Sequence, residues 1–115
     1  MDLKTLAIDH LGIAVSLIDA NGVLLYYNRK AEDCLDRKPE YIGKDIFSCH
    51  QKSASNDKID EMLAAFKQGR TDPFRYRAQP YGKTVFVTVS PIFESGQFVG
   101  CAQVVVPETD LSSTS

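Results

Sequence analysis

An α+β domain, with one five-stranded antiparallel sheet and helices packed on one of its faces, is the fold class this sequence predicts. Three observations predict it. Apolar and polar residues alternate at period two over residues 74–79 and 84–90. Two further apolar runs flank the turn Asp19-Ala20-Asn21-Gly22 near the start of the chain. Between these regions the pattern changes to helical spacing, and the two periods separate strand from helix.

The elements follow in order. Leu3, Leu6, Ala7 and Leu11 recur at helical spacing and predict a short amphipathic helix stopped at Gly12. Ile13 to Ile18 and Val23 to Tyr27 read as the arms of a β-hairpin, since Asn21 and Gly22 both tolerate positive φ. Asn28 is placed to cap a helix over 29–35 through its side-chain oxygen. Pro39 and Gly43 bracket a short turn, with Ile42, Ile46 and Phe47 expected on its buried side. Ser53 or Ser55 then caps a helix over 56–68, ended by Gly69. Its residues Ile59, Met62, Leu63 and Phe66 stand at i, i+3, i+4 and i+7, so they share a face. Phe74, Tyr76 and Ala78 alternate with Arg75, Arg77 and Gln79 in the third strand, which places the two arginines toward solvent, with contact of one of them to an anionic or gaseous ligand as the alternative. Val85, Val87 and Val89 alternate in the fourth strand, and Phe98 to Val106 forms the fifth after a turn at Ser95-Gly96. The chain divides into a flanking helix at 1–11, one domain at 12–107 and an exit linker at 108–115.

Composition narrows the function. With 115 residues, 43% hydrophobic and 24% charged, the chain fits one ordinary globular core. Thirteen basic residues are scattered among fifteen acidic ones for a net charge of −2. Direct nucleic-acid binding is not expected, because it needs clustered lysine and arginine. No apolar run approaches the ~18–20 residues that span a bilayer, and Met1-Asp2-Leu3-Lys4 does not begin a signal peptide. The cysteines, Cys34, Cys49 and Cys101, are odd in number and irregularly spaced, which argues for a reducing, cytoplasmic setting over a disulfide framework. They also lack the paired close spacing of a structural zinc site. Phosphate loops, paired carboxylates in a recognisable setting and a Ser/His/Asp arrangement are all missing, so no enzymatic activity is expected.

The order of elements resembles the PAS fold. The segment IDANGVLLYYNRKAEDCLDRKPEYIGKDI looks like the PAS core, with Asp19 and Gly22 in its first turn, Asn28 and Ala31 at its first central helix, and Gly43 after the next turn. GKTVFVTVSPIFESGQFVGCAQVVVPETDL resembles the closing strands, and Thr109-Asp110-Leu111 the exit toward an effector. A narrower likeness involves FSCHQKSASNDKIDEMLAAFKQGR. It is similar to a segment of the haem-binding, carbon-monoxide-responsive PAS regulators joined to LytTR DNA-binding domains.

That likeness implies haem b, with His50 as the axial metal ligand and Met62, Leu63, Phe66, Val87, Val99 and Cys101 enclosing the macrocycle. It also implies a diatomic gas (CO, NO or O2) as input and a downstream effector domain or protein as output. The methionine that supplies a second ligand in those regulators has no counterpart in Thr71 to Gln79, and no LytTR domain is present. Read from spacing alone, His50 caps or hydrogen-bonds a loop, and Met62, Leu63 and Phe66 are core of any protein with this helix. Two functions therefore stand. One is a haem-based gas or redox sensor. The other is a PAS interaction module, dimerising through its N-terminal helix or sheet, with an empty or small-molecule cavity. His10 is expected to face solvent, and Cys49 to be a small buried apolar residue.

Overall fold

The computed structural model describes residues 2–35, 39–44, 53–79 and 82–108, the side chains at 33–35 and 53–58 excepted. Helix α1 spans Leu3–Asp9, β1 Ala14–Asp19, β2 Leu24–Tyr27 and α2 Arg29–Leu35. A 3-10 turn at Pro39–Tyr41 precedes α3 at Ser53–Lys67, and the chain closes with β3 (Phe74–Ala78), β4 (Val85–Glu94) and β5 (Gln97–Pro107). The five strands form one sheet in the order β2-β1-β5-β4-β3, with every pair antiparallel. The N-terminal hairpin thus lies beside the last strand, as its sequence pattern predicts.

The first turn forms because Asp19 folds back on itself. Its Oδ1 accepts from the backbone N–H groups of Asn21 and Val23 at 2.8 and 3.0 Å, and Gly22 takes a φ of 88° that a side chain would oppose. Asn28 does more than cap α2. Its Oδ1 accepts from Ala31 N at 3.1 Å and Val15 N at 2.9 Å, while Nδ2 donates to Ile8 O and Ile13 O at 2.8 Å each. This fully buried amide ties α1, β1 and α2 together.

Helix α3 starts at Ser53, earlier than the spacing indicated. It ends in a Schellman arrangement: Arg70 N donates to Ala65 O at 3.1 Å and Gly69 N to Phe66 O at 3.0 Å, with Gly69 at φ 107°. Ile59, Met62, Leu63 and Phe66 all face the sheet and are buried. On the sheet they meet Ala14, Ile18, Leu24, Val85, Val87, Val89, Cys101 and Val105. Phe66 is fully buried and packs edge-on to Phe74 at 5.3 Å and tilted to Phe98 at 5.4 Å between ring centroids.

Several expectations need correction. Helix α1 ends at Asp9, before Gly12, because His10 caps it and donates its backbone N–H to the final carbonyls. None of its residues is buried. Ile42 is 42% exposed, and Tyr41 packs on the core in its place. Strand β4 continues through Pro91 to Glu94. At Pro91 it has run past β3, whose last pair with β4 is Phe74 with Val89, and a strand with a free flank tolerates proline. Ile46 and Phe47 lie outside the described residues.

Candidate functional site

The inner face of the sheet is built in rows. Ala14, Val105, Val87 and Tyr76 form one, Ser16, Gln103, Val89 and Phe74 the next, and Ile18, Cys101 and Pro91 a third. Helix α3 lies over them. Where Ile59, Met62 and Leu63 approach Ile18, Val89, Cys101 and Gln103 a cavity of about 10 Å3 remains, roughly the space of one water.

Three polar side chains enter this apolar face. Gln103 lines the cavity and is buried. Tyr76 is hydrogen-bonded to Gln103, and burial raises its phenol above the ordinary value while that bond lowers it. Ser16, directly paired with Gln103, is fully buried, and its Oγ has no hydrogen-bond partner among the described residues. Burial, and then the Asp19 carboxylate, pushes the Cys101 thiol up to about 11. Burial on this face thus disfavours the charged forms of both Tyr76 and Cys101.

Met62, Leu63 and Cys101, expected to enclose a ligand, line the cavity. Phe66 and Val87 belong to the same buried cluster. Val99 does not, since it is 42% exposed. The pairing moves from Ile92 with Gly100 to Phe93 with Phe98, so Val99 is the extra residue of a β-bulge. The bulge reverses the alternation, turning Phe98 inward and Val99 outward. Gly100 beside it sits so close to β1 that a Cβ would meet Ile18 O at 2.5 Å. His50 and Cys49 lie outside the described residues, as does the side chain of Cys34. Gln103, Ser16, Ile18, Ile59 and Val89 are site residues that the sequence reading missed. Gln103 shares the odd-numbered parity of Cys101 and Val105, and that signal could have found it.

The described walls, packed as they are, have no room for a macrocycle. Even drug-sized ligands occupy pockets of about 300 Å3 or more. His10 is exposed, as expected, with its ring Nδ1 2.8 Å from Leu6 O. Arg75 and Arg77 both face solvent. No group of three or more metal-ligating side chains occurs among the described residues.

Over residues 5–107 the chain matches the family model described as a PAS domain, and it belongs to that family. No curated protein matches the chain. Among solved structures it is similar to a C-terminal domain from Streptococcus mutans, at 22% identity and TM-score 0.76, covering 96% of this chain and 87% of that one. It is also similar to the PAS domain of Bordetella pertussis BvgS, at 18% identity and TM-score 0.73, covering 93% and 87%. A sensory box sensor histidine kinase from Vibrio cholerae gives 17% identity and TM-score 0.68, covering 91% and 88%. At these identities the likeness is one of fold.

Proposed function

We propose that this chain is a non-catalytic PAS sensory module that passes a signal to an attached or partner effector. The observation that carries this reading is the PAS sheet closed over an apolar interior, in which α3 and the sheet leave about 10 Å3 between them. So small a space makes the α3–sheet contact the element that a ligand has to displace. An input that enters shifts α3, and that displacement is the signal.

A second reading names the input: haem b carried on His50, with CO, NO or O2 at iron. Its support is the likeness of the segment at 47–70 to haem-binding PAS regulators, together with Met62, Leu63, Phe66, Val87 and Cys101 in one buried cluster. Under this reading α3 has to stand further from the sheet than it does here. Bound haem supplies a diatomic-ligand site, while this chain's wall residues exclude water from it. The absorption spectrum of protein expressed with ample haem separates the readings. An intense Soret band that is lost in His50→Ala, with circular dichroism unchanged, supports haem. A colourless wild-type protein, or a Soret band untouched by His50→Ala, removes His50 as its ligand.

A further inference from the structure

The turn joining β1 to β2 contains a reactive pair of residues that the inner face does not use. Asn21-Gly22 is the one asparagine–glycine sequence in the chain. Asn21 is exposed, and its side-chain amide has no hydrogen bond among the described residues. The side-chain carbonyl carbon of an asparagine lies at the distance along the chain from the next backbone nitrogen that closes a succinimide ring. Glycine at that next position has no Cβ to obstruct the approach. The native turn restrains the nitrogen, however. Gly22 is buried and its N–H donates to Asp19 O at 3.1 Å. Asp19 Oδ1 accepts from Asn21 N at 2.8 Å and Val23 N at 3.0 Å. A nitrogen whose proton is engaged away from water is a poor nucleophile, so reaction waits for the turn to open. Opening can be local, because β2 stands at the margin of the sheet and its pairing with β1 shifts between Leu17 and Ile18.

We infer that Asn21 is a site of spontaneous covalent modification, converted to isoaspartate and aspartate when the turn at 19–22 opens. The deprotonated Gly22 nitrogen attacks the Asn21 side-chain carbonyl carbon and forms a C–N bond that closes the succinimide. The bond from that carbon to the side-chain nitrogen breaks, and ammonia leaves. Water then adds to one imide carbonyl and cleaves its bond to the ring nitrogen. Cleavage at the side-chain carbonyl gives aspartate. Cleavage at the backbone carbonyl gives isoaspartate, in which the main chain runs through the former side chain and is longer by a methylene. No electrons are transferred, and water is the only co-reactant. Because the attacking nitrogen must lose its proton, the rate rises with pH. The product lengthens the turn spanned by the Asp19 bonds and adds a carboxylate beside the one already there. Asn28 is the internal control: it is fully buried, hydrogen-bonded at both ends of its amide and followed by Arg29. Neither step involves the inner face, so the site is independent of haem.

The test incubates the full chain in mildly alkaline buffer beside a synthetic peptide of residues 16–26. Peptide mapping by mass spectrometry then resolves the asparagine, aspartate and isoaspartate forms at each position. Conversion is expected at Asn21 and not at Asn28, and about tenfold or more slower in the folded chain than in the peptide. Urea below the unfolding transition is expected to raise the rate at Asn21 toward that of the peptide. Asp19→Ala removes the carboxylate that holds Asn21 N and Val23 N and is expected to do the same without denaturant. Its melting temperature checks that it folds, and the urea series on wild type carries the test if it does not. Conversion of the native chain at the peptide rate overturns the inference, as does a rate indifferent to urea. Conversion at Asn28 as fast as at Asn21 overturns it too, and so does no product at Asn21 after about a hundred half-lives of the peptide reaction.

Discussion

Cys101 sits on the central strand β5 with 2% of its surface exposed, so the thiol is an apolar group in the folded chain. Burial raises its pKa to about 11 from 9.0. The native state therefore favours the protonated form, and its contribution is complete below pH 9 and lost as pH rises toward 11. The loss is about 2–3 kcal/mol at most. Melting curves between pH 8 and 11 are expected to fall more steeply for wild type than for Cys101→Ala, in which this group no longer titrates. Equal slopes would mean the thiolate is accommodated without unfolding. Ser16 is the contrasting case on the same face, since it keeps a buried hydroxyl with no partner among the described residues. Both residues are inconspicuous in the sequence, because their chemistry comes from neighbours that only the register supplies.

At the scale of the element, α3 is the part most easily read from the chain. Its apolar stripe at Ile59, Met62, Leu63 and Phe66 needs no tertiary knowledge, and all four residues are buried. Phe66→Ala removes a ring held between Phe74 and Phe98 and is expected to cost about 3–5 kcal/mol. Chemical denaturation measures this, and a loss below about 1 kcal/mol would mean the pocket collapses around the alanine. The alternation of β3 was equally legible and placed Arg75 and Arg77 outside correctly. The alternation of β5 was not. Val99, Cys101, Gln103 and Val105 look like one uniform face, yet the pairing shifts at Val99 against Ile92 and Phe93 on β4; Gly100, a lone glycine inside the strand, is the one signal of it in the β5 sequence. Strand β4 hid its length for a similar reason. The alternation noted over 84–90 stops short of Pro91, which the strand accommodates because the neighbouring strand has ended already.

Across the whole molecule, the fold and the sheet order were readable because each element's period agreed with its place. The degree of closure of the interior was not, since it depends on how near α3 settles to the sheet. The N-terminal helix shows the same division between pattern and packing. Its amphipathic spacing predicts α1 correctly, but Leu3 is 80% exposed, Leu6 40% and Leu11 44%. Polar contacts hold it instead: Asn28 to Ile8 O, Asp9 to Tyr26 Oη at 3.3 Å and Asp9 to Arg29 Nε at 2.8 Å. A helix of 7 residues is too short to be stable by itself in water, and here it keeps its leucines uncovered. If the chain dimerises through this helix, those leucines are the surface that meets the second copy. Leu3→Glu/Leu6→Glu is therefore expected to shift sedimentation from dimer toward monomer. It should change the melting temperature of the dilute monomer little, because neither side chain belongs to the core. A dimer that survives the double substitution would place self-association elsewhere. A marked loss of monomer stability would mean that α1 packs against the domain in solution.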